Sequence, residues 1–250
     1  MHFLNAQQVN LIIDIGNSRT KLSLFNHGEV LTTPVDELLQ EHINALKDKY
    51  PSLNKVILSS VREYPDSLKK ALQNNFDTFL ELSHKTPLPI ENLYLSKETL
   101  GYDRIASAVG ANNLYPNTNL LVIDAGTALT YDFVSDKNQY LGGNIAPGLE
   151  MRFKSLHNFT NKLPLVKAEN QNKLYGSTTE EAIRAGVQNG FIYEIEKTIE
   201  MFKIFYGNLK VIITGGDADF FDKKLKNPFF VHFNLVALGL NRILEYNEYK

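Results

Sequence analysis

The chain of 250 residues contains no cysteine. Disulfides, thiolate metal sites and thiol nucleophiles are therefore excluded, and the composition suits a reducing compartment. No stretch reaches the ~18 consecutive apolar residues of a membrane helix, and the start of the chain lacks the basic and apolar segments of an export signal. We expect a cytoplasmic protein that is not inserted in a membrane.

Neither sign of charge is in large excess. Lysine and arginine total 26 and aspartate and glutamate total 28, which gives a formal net charge of −2. This balance provides no global attraction to nucleic acid or to an anionic membrane surface, so neither is expected as a partner. An anionic substrate must instead be held by local groups. The six histidines are too scattered along the chain to show metal-ligand spacing.

Two segments that lie 110 residues apart share one pattern of a buried strand, an Asp-x-Gly turn and a second strand. They read LIIDIGNSRTKLSLF and LLVIDAGTALTYDFV, and the pattern matches Asp14 with Asp124, Gly16 with Gly126, and Thr20 with Thr130. A second pair of similar segments, KVILSS at 55–60 and KVIITG at 210–215, occurs in the same order. Because two independent pairs of similar segments agree, we predict two halves with a common plan.

Helices are expected between these strands. Apolar residues recur at helical spacing over 182–205 and over 235–244, and a long helix is predicted from about Thr178 to Phe205. Proline, asparagine and threonine cluster at 112–119, which indicates a loop. We therefore place the division between the halves at Asn117, giving domains 1–117 and 118–250.

An Asp-x-Gly turn after a buried strand is suited to phosphate binding. Glycine lets the backbone approach a polyphosphate, so that its N–H groups can donate to the oxygens. Two such turns could hold ATP, with a hydrated magnesium ion between Asp14 and the phosphates. Neither a P-loop nor a GxGxxG motif is present. One such turn alone is more often unliganded, so the pair carries the prediction.

Five motifs in fixed order resemble the type III pantothenate kinases. They are DIGNSRTK at 14–21, GYDR at 101–104, DAGTALTYD at 124–132, GGNIAPGLEM at 142–151 and TGGDA at 214–218. That family belongs to the superfamily of actin-like ATPases, sugar kinases and heat-shock chaperones. The resemblance implies an α/β, duplicated ribonuclease-H-like fold of two similar halves, with mixed sheets and a cleft between them.

The resemblance also implies a function. The expected reaction is ATP-dependent phosphorylation of pantothenate to 4′-phosphopantothenate, the first step of coenzyme A biosynthesis. The first half would carry the first phosphate loop and the pantothenate motif. The second half would carry the second phosphate loop, a site for a monovalent cation and the helix of a homodimer.

Residue by residue, the resemblance assigns a nucleotide site. Thr127 in the second phosphate loop would contact ATP, and Asp124 would bind potassium or ammonium. The first phosphate loop would bind ATP through Asp14, Ile15, Gly16, Asn17, Ser18, Arg19, Thr20 and Lys21.

The acceptor site is assigned in the same way. Asp103 would be the general base for the pantothenate hydroxyl, and Arg104 would clamp the pantothenate carboxylate with two parallel hydrogen bonds. Thr179 would reach the pantothenate bound to the other subunit of the homodimer. The full set of substrate-binding residues is Tyr94, Gly101, Tyr102, Asp103, Arg104 and Thr179.

Simpler interpretations stay open for three of these residues. Arg104 could be a surface arginine of a helix, and Asp103 could be an N-terminal helix residue favoured by the helix dipole. Thr179 could belong to a capping box with the glutamates that follow it. If Asp103 is not the base, Asp132 is the next candidate.

Two positions depart from the family pattern. The chain has Ser96-Lys97 where Asn-Pro is common, which puts the entrance to the pantothenate site in question, and serine stands at position 18 where threonine is usual. Serine keeps the hydroxyl donor, so little effect is expected. Two rival functions also remain: a phosphatase of the same superfamily, which would not need GYDR, and a catalytically silent accessory homologue.

Overall fold

The computed structural model describes residues 9–16, 19–26, 29–35, 38, 40–221 and 223–248. Contacts divide the chain into two compact units. The first unit is Met1–Leu114 with Asn234–Lys250, and the second is Tyr115–Phe233. Each unit contains a mixed β-sheet and helices.

Helices and strands alternate along the chain, as expected. Two short 3-10 helices occur at Lys97–Thr99 and Ala218–Phe221. The other elements are, in chain order, β1 (Val9–Ile15), β2 (Thr20–Asn26), β3 (Glu29–Val35), α1 (Gln40–Lys49), β4 (Leu53–Ser60), α2 (Asp66–Asn75), β5 (Thr78–Glu81), β6 (Glu91–Asn92), α3 (Tyr102–Leu114), β7 (Asn119–Ala125), β8 (Ala128–Val134), β9 (Gln139–Pro147), α4 (Leu149–Asn158), α5 (Thr179–Tyr206), β10 (Leu209–Thr214), β11 (Phe230–Val231) and α6 (Leu235–Glu248).

The first unit is built around β1. The sheet order is β3-β2-β1-β4-β5, in which β1, β2 and β3 form an antiparallel meander while β4 and β5 run parallel to β1. Leu11, Ile12 and Ile13 are fully buried, so both faces of β1 are covered. A continuous apolar run is the pattern expected of such a central strand.

The second unit repeats this plan. Its strands follow the order β9-β8-β7-β10-β11, where β7, β8 and β9 are antiparallel neighbours and β10 and β11 run parallel to β7. The strands that lead into Asp14 and Asp124 therefore occupy equivalent central places. Both the predicted duplication and the predicted mixed sheets are confirmed.

The two Asp-x-Gly hairpins differ by one residue. In the first, Ile15 faces Thr20 across the turn; in the second, Ala125 faces Leu129. The second turn is therefore one residue shorter, and the structural counterpart of Thr20 is Leu129. The sequence match of Thr20 with Thr130 was wrong. It assumed a constant separation of 110 residues, which does not hold beyond a turn that is one residue shorter.

The C-terminal helix α6 packs in the first unit, against α3. A side chain at Gly239 would overlap the carbonyl oxygen of Ala106, and one at Gly110 would overlap that of Leu235. Glycine therefore lets the two helix backbones touch. The assignment of residues 118–250 to one half differs from the structure here, because packing between distant helices leaves no mark on local periodicity.

Among the described residues, no helix is long and apolar enough to cross a membrane. The longest helix, α5, has 28 residues and agrees closely with the helix predicted from about Thr178 to Phe205. It ends at Gly207, which has a φ of 69° and donates its N–H to the Lys203 carbonyl at 2.9 Å. A glycine in this left-handed region is a common helix terminator.

Candidate active site

The turn predicted to be the first phosphate loop joins β1 to β2. Its Gly16 N–H donates to the Arg19 carbonyl at 3.0 Å, which closes the turn, and Asp14 lies opposite Lys21 on the neighbouring strand. Thr20, at the start of β2, is 2% exposed. The predicted contacts from Asn17 and Ser18 lie outside the described residues.

Asp14 is held in an unfavourable environment for a negative charge. Its Oδ1 atom is enclosed and has no hydrogen-bond partner among the described residues. Burial raises the pKa of this carboxyl to about 6; Lys21 opposes the rise and the negative charge of Asp103 adds to it. An enclosed carboxylate oxygen without a donor is suited to a hydrated cation, so the site fits magnesium.

The GYDR segment forms the start of α3. The Gly101 carbonyl accepts from the Ile105 N–H at 3.2 Å, so Gly101 stands directly before the helix. Asp103 lies in the first turn, where its Oδ1 accepts from the Arg104 N–H at 2.8 Å. Because Asp103 acts on the pKa of Asp14, the first unit brings the predicted base close to the first phosphate loop.

Arg104 is 6% exposed and is therefore not a surface arginine of the helix. Its guanidinium carbon lies 6.0 Å from the centre of the Tyr94 ring, a distance at which a cation is attracted to an aromatic face. The structure thus places together two residues predicted to bind pantothenate.

Ser96-Lys97, where the family pattern commonly has Asn-Pro, begins a short helical turn. Ser96 precedes the 3-10 helix Lys97–Thr99, and the Thr99 hydroxyl contacts both the Ser96 carbonyl and the Ser96 hydroxyl at 3.0 Å. This turn lies between Tyr94 and Gly101. It fixes the spacing between them without proline.

In the second unit, the ends of β7 and β10 meet at Asp124. Gly215 has a φ of 94°, and a side chain there would overlap both the Asp124 carboxylate and the Ala125 carbonyl. A carboxylate oxygen of Asp124 and the carbonyl oxygen of Ala125 therefore both lie close to Gly215, and oxygen donors are the ligands that hard cations such as potassium prefer. The Gly148 N–H donates to the Thr127 carbonyl at 3.2 Å and positions the second phosphate loop.

At the start of α5, the N-cap residue is Thr178 and not Thr179. Thr178 is the N-cap residue, and its hydroxyl accepts from the Glu181 N–H at 3.3 Å, while Glu181 accepts from the Ser177 N–H at 2.9 Å. The capping interaction that could explain Thr179 therefore belongs to Thr178. Thr179 is exposed, with its hydroxyl outside that pattern.

Asp132, the alternative base, lies in the core of the second unit. It is 1% exposed, and it accepts hydrogen bonds from the Tyr140 hydroxyl at 2.6 Å and the Thr130 hydroxyl at 3.3 Å. Because these hydrogen bonds engage the carboxylate within the core, the role given to it as second candidate is not supported.

Arg62 was not among the site residues predicted from the sequence. Its Nη2 donates to the Thr20 hydroxyl at 3.3 Å, which brings a cation to the first phosphate loop. A signal was available, since Arg62 follows the KVILSS strand of the repeat. When strands run parallel, the residues after their carboxyl ends lie at the same edge of the sheet.

Comparisons with known proteins agree with this geometry. The family model described as type III pantothenate kinase matches residues 10–201. A type III pantothenate kinase of Phocaeicola vulgatus is 45% identical, over 96% of this chain and 99% of the relative, and one of Bacteroides fragilis is 46% identical over the same shares.

Solved structures show the fold. A Campylobacter jejuni protein of the Baf family of transcriptional activators has a TM-score of 0.61 at 24% identity, covering 96% of this chain and all of that one. A glucokinase of Balamuthia mandrillaris has a TM-score of 0.53 at 11% identity, covering 98% and 95%. The duplicated architecture is thus the sugar-kinase one. By the family match and by its near full-length relatives, the chain belongs to the type III pantothenate kinase family.

Proposed function

We infer that the chain transfers the γ-phosphoryl group of ATP to the primary hydroxyl of pantothenate, giving 4′-phosphopantothenate for coenzyme A biosynthesis. The observation that carries this conclusion is the 45% identity to a type III pantothenate kinase over nearly the whole of both chains. The GYDR segment, with its buried Arg104, supports an acceptor site. A phosphatase that uses water would not need one.

On the acceptor side, the buried Arg104 binds the pantothenate carboxylate. A guanidinium offers two parallel N–H donors to a carboxylate, and its contact with the Tyr94 ring limits its orientation. Asp103, half-buried in the first turn of α3, takes the proton of the attacking hydroxyl as the new oxygen–phosphorus bond forms and ADP leaves. Because the transition state of phosphoryl transfer is loose, the base mainly orients the hydroxyl. Gly101 and Tyr102 complete this site.

On the nucleotide side, residues 14–21 and Thr127 bind the phosphates. Asp14 holds hydrated magnesium, which when bound supplies positive charge to the phosphates. The described residues contain no group of three or more histidine, aspartate or glutamate side chains that could hold a metal. Magnesium held by one carboxylate together with substrate phosphates does not require such a group.

Asp124 binds a monovalent cation, potassium or ammonium. The Asp124 carboxylate supplies the negative charge of this site, and the Ala125 carbonyl oxygen lies, like that carboxylate, close to Gly215. An unscreened carboxylate close to a triphosphate would repel it, and a bound cation removes this conflict.

The enzyme acts as a homodimer in the cytoplasm, where its substrate ATP is available. Support for the dimer comes from α5, whose outer part carries exposed apolar side chains at Tyr193, Ile204 and Phe205, which are 58%, 70% and 74% exposed. The near-neutral charge gives no support to binding of nucleic acid or of a membrane surface.

The test is an assay of ADP release from ATP with and without pantothenate, each in potassium and in a bulky organic cation such as tetramethylammonium. We expect release only with pantothenate, and much faster release in potassium. ADP release that does not depend on pantothenate would indicate the phosphatase alternative. Equal rates in the two cations would contradict the role of Asp124.

A further inference from the structure

The turn that follows β4 lies against the first phosphate loop. β4 runs parallel to β1, with Ser60 beside Ile15, and the Val61 N–H continues the ladder by donating to the Ile15 carbonyl at 3.0 Å. The next residue, Arg62, is therefore carried to the edge of the sheet at which Gly16 turns. This position follows from strand register.

The backbone of Arg62 is fixed by Ser60. The Ser60 hydroxyl donates to the Arg62 carbonyl at 2.5 Å and accepts from the Arg62 N–H at 3.3 Å. From this turn the guanidinium reaches Thr20, where Nη2 donates to the hydroxyl oxygen at 3.3 Å. A guanidinium has donors only, so the Thr20 oxygen must accept, and the O–H of Thr20 is left to donate to another acceptor.

Arg62 retains its positive charge for a ligand. Within the part of the chain that the structure describes, no carboxylate lies within ion-pair distance of Arg62. The nearby carboxylate of Glu81 is already engaged, since it accepts from Tyr64 and pairs with Lys69, both at 2.5 Å. An uncompensated arginine whose contact is a threonine hydroxyl is suited to an anion that the hydroxyl also binds.

Two open clefts of about 350 and 360 Å³ adjoin Arg62. One is lined by Tyr102, next to the proposed base, and the other by Ile15 and Thr20 of the first phosphate loop. Arg62 lines both clefts and therefore stands between the acceptor motif and the phosphate loop.

We propose that Arg62 is a positioning residue for ATP: its guanidinium holds the Thr20 hydroxyl as a donor to the nucleotide phosphates. The proposal rests on the proposed function, because the role of Thr20 in ATP binding is part of that function. None of the five motifs that resemble the family contains Arg62. The proposal therefore adds a cation to the residues expected beside the first phosphate loop.

The test compares Arg62→Gln and Arg62→Lys with the control Lys70→Gln, which removes a cation from an exposed position on α2. The affinity for a non-hydrolysable ATP analogue is measured together with the kinetics of both substrates. A hydrogen bond to a charged group is typically lost at a cost of about 10- to 100-fold in affinity. We expect Arg62→Gln to weaken analogue binding by roughly that factor. The affinity of Arg62→Lys should fall between those of Arg62→Gln and wild type, and Lys70→Gln should bind the analogue as wild type does. The pantothenate KM should be unchanged in all three variants.

A double-mutant cycle tests whether Arg62 acts through Thr20. If it does, adding Arg62→Gln to Thr20→Val should cause little further loss, whereas Thr20→Ser, which keeps the hydroxyl, should keep the full effect of Arg62→Gln. Additive losses in the Thr20→Val background would overturn the proposal. Thr20→Ala, which also removes the hydroxyl, takes the place of Thr20→Val in the cycle if Thr20→Val does not fold.

The outcomes separate this inference from the function on which it rests. If wild type binds the ATP analogue but phosphorylates no pantothenate, the proposed function fails and the affinity comparison still decides the role of Arg62. If Arg62→Gln binds the analogue as tightly as wild type does, the inference fails whatever the acceptor is.

Discussion

Asp14 and Asp103 repel each other within the first unit. Burial is the main reason that the pKa of Asp14 rises to about 6, and the negative charge of Asp103 adds to the rise. The residue proposed to hold magnesium and the residue proposed as base are thus electrostatic neighbours. A cation bound at Asp14 would oppose this repulsion and favour the ionised form of Asp14.

Replacing Asp103 by asparagine should damage turnover far more than binding. A positioned general base typically contributes ~10²–10⁴-fold, so kcat is expected to fall by about that range while the ATP affinity stays close to that of wild type. Steady-state kinetics and nucleotide titration measure the two quantities separately.

The competing interpretation predicts another result. Asp103 lies in the first turn of α3, and Gly101 stands before the helix, so asparagine would lose only a weak dipole interaction of about 0.3–1 kcal/mol. Thermal unfolding of Asp103→Asn checks that the fold is kept. If this variant retains more than about a tenth of wild-type turnover, which is above the residual activity expected after loss of a general base, Asp103 is not the base.

Local patterns predicted both sheets but could not predict how distant elements pack. The apolar run before Asp14 and its echo before Asp124 identified the two central strands, because buried strands need continuous apolar sequence. The contact of α6 with α3 depends on Gly110 and Gly239, which are 129 positions apart in the printed sequence, and neither glycine carries a local signal of its partner.

The candidate site was predictable to a similar degree. Motifs identified Asp14, Asp103 and Arg104, since each motif is contiguous and follows a strand or opens a helix. Arg62 was missed because its partner Thr20 belongs to another strand, and only the pairing of β1 with both β2 and β4 brings them together. The choice between Thr178 and Thr179 as cap required backbone geometry, because both have the same side chain.

Replacing Asp14 by asparagine should stabilise the metal-free protein in a pH-dependent way. The folded-state pKa of Asp14, about 6, lies above the ordinary value of 3.8, so folding favours the protonated carboxyl. The stability that the protonated Asp14 carboxyl contributes is therefore fully present below about pH 4 and is lost as the pH rises through 6. A difference of about two pKa units corresponds to about 3 kcal/mol, which is the advantage expected for Asp14→Asn at neutral pH.

Denaturant unfolding between pH 4 and pH 8, without magnesium or nucleotide, measures this advantage. The exposed Asp77→Asn serves as control and should follow the wild-type curve. An Asp14→Asn advantage that stays constant across the range, or grows as the pH falls, would contradict the assignment.

Replacing Arg104 by lysine should weaken pantothenate binding selectively. Lysine keeps the positive charge but cannot offer two parallel donors to a carboxylate, and loss of a charge-assisted hydrogen bond costs about 1.5–3 kcal/mol. The pantothenate KM is therefore expected to rise by about 10- to 100-fold, with the ATP KM unchanged. Pantothenol, which lacks the carboxylate, is the matched probe: if Arg104→Lys weakens its use equally, Arg104 does not bind that carboxylate.

Thr179 is proposed to complete the site of the other subunit, and mixing two inactive variants tests this directly. Asp103→Asn lacks the base and Thr179→Ala lacks the hydroxyl, so each homodimer should have low activity. In a mixed dimer, the subunit with an intact Asp103 receives an intact Thr179 from its partner, and one wild-type site is restored. Random exchange of equal amounts makes half of the dimers mixed, so about a quarter of wild-type activity should return. If Thr179 acts within its own subunit, every site in the mixture carries one defect and no activity returns.

Sedimentation of each variant as a dimer is the control for the mixing experiment. A monomer at micromolar concentration would contradict the proposed homodimer, on which the role of Thr179 depends.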